Sequence, residues 1–173
     1  PLITSKTRLK LLLRFFLNQN LRGYLQGLSR ELDENTNSVR VELNRLEEAG
    51  LLSAEELGRR KVYSVNTAHP LSSDLSNMLR KMTGIDQLVD RVVSRIGDTL
   101  EQVWITGALA MGINSEKLEV TLVGEALDMD YLDELMNKVE TLIEKTITWK
   151  VCISDAEIDP ESALLVWQKV DEQ

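Results

Sequence analysis

The sequence predicts an α+β protein, and three observations carry that prediction. Between Tyr24 and Asn66 apolar residues recur first at helical spacing and then, beyond Gly50, in the run-and-turn pattern of a strand pair. From Gln102 to Ile153 short apolar runs alternate with one long amphipathic stretch. The charge also divides. Residues 1–69 hold 11 Lys/Arg and 8 Asp/Glu, a net of +3, whereas residues 70–173 hold 9 and 20, a net of −11; together they give −8. A basic N-terminal part is thus joined to an acidic C-terminal one.

Ser5 to Asn18 reads as an opening helix, with Leu9, Leu12, Leu13, Phe16 and Leu17 on its buried side. Ser5 or Thr4 is its expected cap, and Lys6, Arg8, Lys10 and Arg14 fall on its remaining surface. A second helix spans Tyr24 to Leu32, with Leu25, Leu28 and Leu32 on one face. Asp33-Glu34-Asn35 breaks it, and Thr36 stands where a hydroxyl would accept from a free first-turn amide. The third helix runs to about Ala49, its inward stripe Val39, Leu43 and Leu46, with Gly50 as its stop signal. Leu51 to Glu56, a turn at Leu57-Gly58 and Arg59 to Val65 then read as a hairpin with Arg59, Arg60 and Lys61 at a basic tip.

The outward face of the third helix carries the chemistry. Asn37, Arg40, Val41 and Asn44 lie opposite the apolar stripe, with Ser38 beside them and Arg45 at their edge. Arg reads guanine O6 and N7, Asn reads adenine N6 and N7, and Val can touch a thymine methyl. A helix so furnished fits a major groove, and the cations of the hairpin would meet phosphate beside it. The expected partner is double-stranded DNA. The same face is also compatible with a solvated surface or a protein-docking module.

The run Ser38-Val39-Arg40-Val41-Glu42-Leu43-Asn44-Arg45-Leu46-Glu47-Glu48-Ala49-Gly50-Leu51-Leu52 resembles the winged helix-turn-helix of transcriptional regulators, especially the arsenic-repressor-like and multiple-antibiotic-resistance-repressor-like families. Those families carry a similar helix ending in an acidic-Ala-Gly-Leu turn into the wing. The resemblance covers about the first 66 residues. It implies a reader that acts as a homodimer on two half-sites, with the first helix packed behind the reader and often in the dimer interface.

Asn66 to Ser73 is the expected linker, so a first domain is placed at 1–69. Two apolar helices should fill 70–99, one marked by Leu75, Met78, Leu79 and Met82, the next by Ile85, Leu88, Val89, Val92, Val93 and Ile96. They would cover a sheet or pair with a twin chain. The remaining domain, 100–173, should be small and mixed α/β. Its strands are Val103 to Thr106, Leu118 to Gly124 and Ile147 to Ile153, and its main helix is Asp130 to Lys145. Asp159-Pro160 should open a last helix packed through Ala163, Leu164, Val166, Trp167 and Val170, while Trp104 and Trp149 read as core.

The frame Thr106-Gly107-Ala108-Leu109-Ala110-Met111-Gly112 with Leu118-Glu119-Val120-Thr121-Leu122-Val123-Gly124 resembles the minimal nucleotidyltransferase fold over residues 100–153. Those enzymes place Gly-Ser after the first strand and Asp-x-Asp on the second, because clustered carboxylates hold the two Mg²⁺ ions that clamp a triphosphate. Here the corresponding positions are Gly107-Ala108 and Lys117-Leu118-Glu119, and the third strand carries Lys150 rather than an acid. The resemblance therefore implies a domain without catalysis, metal or cofactor. Three uses of that pocket stay open: an oligomerisation scaffold, a partner-docking surface, and a nucleotide or anionic effector groove at Gly107, Ala108, Lys117, Glu119 and Lys150. The competing reading of the whole chain is a divergent nucleotidyltransferase whose winged helix docks a substrate.

Composition narrows the rest. No run approaches the ~18 apolar residues of a membrane span, and the cluster Leu11 to Leu17 is interrupted by Arg14. No signal pattern opens the chain, so a cytoplasmic protein is expected. It starts at Pro1 rather than Met, as a piece of a longer protein would. Cys152, the single cysteine, stands in an apolar strand pattern and reads as a core thiol, and His69 is also alone.

Overall fold

A computed structural model describes residues 3–170. It is an α+β fold with seven α-helices and two sheets, of three and four strands, among those residues. The chain divides into two compact units: residues up to Leu79 with Met111–Asn114, and Arg80–Ala110 with residues from Ser115 onward. No helix among the described residues is long and apolar enough to cross a membrane.

The first unit contains α1 (Lys6–Phe16), β1 (Gly23–Tyr24), α2 (Leu25–Glu31), α3 (Thr36–Glu48), β2 (Leu52–Leu57) and β3 (Arg60–Val65). Its antiparallel sheet has the order β1-β3-β2. Leu11, Phe15, Phe16, Leu28, Leu32, Val39 and Leu43 are sealed from solvent and form the core on which α1, α2 and α3 converge. The expected α3 stripe of Val39, Leu43 and Leu46 is buried, and Gly50 ends the helix at φ +73°. Ser5 caps α1 by accepting from the Arg8 amide at 3.2 Å.

Several local expectations are corrected. The cap of α3 is Asn35 rather than Thr36; its Oδ1 accepts from the Asn37 and Ser38 amides at 2.8 and 3.4 Å. Asn is at least as good a cap as Thr, and Asp33 at φ +48° turns the chain so that Asn35 arrives there. Tyr24 is not helical; with Gly23 it pairs with Val62 and Tyr63, adding a strand to the hairpin. The hairpin turn is Gly58-Arg59, since Leu57 pairs with Arg60. Arg14 is not on the surface of α1: it is buried and reaches Glu31 at 3.2 Å. The C-terminal half of that helix, Leu11 to Phe16, is buried on every side, and Gly112, which belongs to the same unit, lies directly against Arg14.

Helix α4 (Ser72–Thr83) follows, and the division between the units falls within it. Its Met82, expected on the apolar stripe, is 47% exposed. The second unit then has α5 (Ile85–Ile96), β4 (Leu100–Thr106), α6 (Gly107–Ala110), β5 (Lys117–Gly124), α7 (Met129–Ile143), β6 (Thr146–Cys152) and β7 (Leu164–Gln168). The sheet order is β6-β5-β4-β7, with β5 and β6 parallel and the other pairs antiparallel. Val103, Ile105, Leu118, Val120 and Leu122 are buried on alternate strand positions, and α5 and α7 bury Leu88, Val92, Leu132 and Val139. Trp104, Val123 and Ala163 form a smaller cluster with Ile158. Cys152 is buried, while Trp149 is only half-buried.

The last helix expected after Asp159-Pro160 is instead strand β7. Asp159 does accept capping bonds, from the Glu161 amide at 3.0 Å and the Ser162 hydroxyl at 2.7 Å, and these hold its carboxyl below the usual aspartate range. They close a turn, after which the run of five residues pairs with β4 and satisfies what would be an open edge. Leu164 and Val166 are buried and Leu165 is exposed, an alternation of period two. Val170, expected to pack, is 83% exposed.

Candidate nucleic-acid interface

Helix α3 stands with its core stripe inward, so its opposite face is open to solvent. Asn37, Ser38, Arg40, Val41, Asn44 and Arg45 are all exposed, as the sequence predicts, with Val41 at 40%. Arg40 donates to the Asn37 Oδ1 at 3.4 Å, which draws two of the candidate base readers together. Arg45 behaves differently. It donates at 3.1 Å to Glu42, whose side chain is only 7% exposed.

Glu42 also receives Arg8 at 2.8 Å and the Ser5 hydroxyl at 3.3 Å, both from the α1 end of the unit. Burial pushes this carboxyl up, but the Arg8 hydrogen bond and the charges of Arg8 and Arg45 outweigh it and hold it below the usual glutamate range. Arg45 is thereby drawn to the side of α3 and has less freedom than Arg40 to reach outward.

A groove of about 530 Å³ runs between α3, the start of α2 and the hairpin. Arg40 and Asn44 form one wall, Arg59, Arg60, Lys61 and Tyr63 the other, and Tyr24, Leu25 and Gln26 close the end. Three local contacts shape it. The Arg60 guanidinium lies 4.6 Å from the centre of the Tyr24 ring. A Cβ at Gly27 would stand 3.0 Å from that ring, so the absence of a side chain leaves the ring its place. Lys61 reaches Glu47 of α3 at 2.6 Å and lies 5.3 Å from the Tyr63 ring. That hydrogen bond raises the Lys61 ammonium above its ordinary value, and the charge is shared with Glu47.

The groove brings together five of the candidate DNA-contacting residues: Arg40, Asn44, Arg59, Arg60 and Lys61. Asn37, Ser38, Val41 and Arg45 continue the exposed face of α3 outside its lining. Among the described residues no carboxylate comes within ion-pair distance of Arg40, Arg59 or Arg60, so three guanidinium groups remain open to an anion. Tyr24, Gln26 and Tyr63 were missed from sequence. Only their places beside the basic residues could have pointed to them, and the strand pairing of Tyr24 is what brings it there.

The second candidate site lies on the sheet of the other unit. Glu119 pairs in register with Thr106 and Thr148, and Lys150 pairs with Thr121, the next-but-one step along the same face. Lys117 Nζ stands 4.0 Å from the Glu119 carboxylate. Gly107, at φ +69°, begins α6 directly against Glu119, and a Cβ there would collide with the carboxylate. Gly107, Ala108, Lys117 and Glu119 are thus brought together; Lys150 shares the face at the neighbouring register position. Among the described residues no three His, Cys, Asp or Glu side chains gather as a metal cage.

Compared with family models, curated proteins and solved structures, the chain matches none.

Proposed function

We propose that this chain is a DNA-binding transcriptional regulator whose first unit is a winged helix-turn-helix. In this reading α3 is the recognition helix, entering the major groove through Asn37, Arg40, Val41 and Asn44, and the β2–β3 hairpin is the wing, meeting phosphate through Arg59, Arg60 and Lys61. The observation that carries it is the groove between α3 and the hairpin, lined by four cations with polar base-reading groups beside them. A phosphodiester backbone following that groove would neutralise the guanidinium groups that no carboxylate of the unit satisfies. The second unit is a nucleotidyltransferase-like domain without the carboxylate set for Mg²⁺; it oligomerises the reader or senses an effector. The working form is a cytoplasmic homodimer.

Selection of bound fragments from random genomic DNA at two salt concentrations tests the reading. A palindromic motif, bound with affinity that falls steeply as salt rises, is expected. Recovery of no motif, with equally weak binding at both salts, overturns it.

A further inference from the structure

The acidic unit contains one place where its few cations converge. On α7, Tyr131, Leu135, Lys138, Val139 and Leu142 fall on one stripe, and on α5 Arg91 and Arg95 are one turn apart. Where the two helices pack they enclose a groove of about 620 Å³ lined by these seven residues and Thr141. Of the nine Lys and Arg in residues 80–173, three line this groove, although that stretch carries 19 Asp and Glu. Arg91 and Arg95 have no carboxylate within ion-pair distance among the described residues. Lys138 has only the solvated Glu134 on its own helix, at 3.9 Å.

The floor is apolar. Leu135 and Val139 are buried beneath it, while Leu142 and Tyr131 are 49% and 40% exposed at its rim. The volume falls within the ~300–1,000 Å³ of small-molecule sites, and an apolar body with a few convergent polar groups is their usual make-up. Arginine pairs at helical spacing favour a planar oxyanion, which accepts two parallel hydrogen bonds from a guanidinium.

We propose that the α5–α7 groove binds a small amphipathic organic acid, its carboxylate held by Arg91 and Arg95 and its apolar body laid over Leu135, Val139 and Leu142 beside the Tyr131 ring. This site is separate from the sheet face around Glu119 and does not depend on the DNA-binding reading. Tyr131 supplies an edge on which an aromatic acid can stack, and Lys138 adds positive potential from the opposite wall.

The test uses the full chain and 2-naphthoate as the probe, followed by its fluorescence and by calorimetry. Saturable binding of one molecule per chain is expected, with 2-naphthalenemethanol and acetate each at least about tenfold weaker because one lacks the charge and the other the apolar body. Arg91→Gln with Arg95→Gln should weaken 2-naphthoate at least about tenfold without changing the circular dichroism, since both side chains are exposed. Leu142→Asp is a second, independent variant and should abolish binding from the apolar side. Equal binding of the acid and the alcohol overturns the proposal, as does undiminished binding by the double arginine variant. Retention on phosphatidylglycerol vesicles without saturable 2-naphthoate binding would assign the groove to a membrane surface and overturn it as well.

Discussion

The groove beside α3 and the sheet face around Glu119 both place lysine or arginine near glutamate, yet they leave different charges available. At α3, Glu42 is buried and engages Arg8 and Arg45, and Glu47 engages Lys61, so these two acids are occupied by defined cations. Arg40, Arg59 and Arg60 are left over, and they line one groove. Around Glu119 the single carboxylate sits loosely beside Lys117, with Lys150 further along the face, so positive and negative charge are interspersed in solvent. A surface that binds polyanions needs cations in excess of local acids and walls that bring them to bear together. The first region has both; the second has a weak exposed pair whose energy in water is small.

The largest expected effect is on the scaffold under the first region. Leu43→Ala, at a residue sealed from solvent, should cost about 2–5 kcal/mol of stability, read as a shift in the denaturant midpoint of the unfolding transition. DNA binding should fall with it, because α3 loses the side chain that seats it.

Next is Glu42→Gln, which removes the charge shared by Arg8 and Arg45 and should cost about 1–3 kcal/mol. Acid titration checks the same group. Its folded pKa lies below its ordinary value of 4.5, so its contribution is present above that value and is lost as pH falls through the lowered folded pKa. The wild type should therefore lose more stability on acidification than Glu42→Gln, which keeps the acid dependence of the other lowered carboxyls, Glu34 and Asp159. A variant with the same acid dependence as the wild type would remove Glu42 from the account.

Binding variants separate reading from attraction. Arg40→Ala should cost about 1–3 kcal/mol of discrimination at a single base position, measured by competition between the selected operator and its point variants. Arg60→Ala should weaken all sequences alike and lower the salt slope by about one. An Arg40→Ala protein with full sequence preference would break the assignment of α3 as the reader.

The smallest effect belongs to the second region. Glu119→Gln should change stability by less than about 0.5 kcal/mol, the range of exposed ion pairs, as followed by thermal unfolding. It should leave DNA affinity unchanged. A loss comparable to that of Glu42→Gln would show that the Glu119 face is a built site after all.

Much of the fold is legible in the sequence. The α3 stripe, the strand runs at Val103, Leu118 and Ile147, and the long helix before Lys145 each repeat a single period over enough residues to identify the element. The exposed face of α3 is legible for the same reason: once Val39, Leu43 and Leu46 face inward, helical geometry directs Arg40, Val41 and Asn44 outward. What was misread is short or depends on a distant partner. Asp159-Pro160 opens helices in many proteins, but here the apolar run Leu164 to Trp167 follows, and the free edge of β4 decided that it forms a strand. Tyr24 reads as a first helical residue until β3 pairs with it.

By itself, then, the sequence determined the α+β class, most of the elements, the core stripe of α3 and the division of charge, because these follow from local periodicity and composition. Only the tertiary structure decided that Arg14 is buried, that Glu42 is tied to Arg8, and that Lys61 shares its charge with Glu47. It alone brought Tyr24 beneath Arg60 and set Arg91 and Arg95 across from Lys138. Those pairings join residues far apart in the chain, and which cation meets which acid depends on how the elements pack rather than on the spacing of either residue along the sequence.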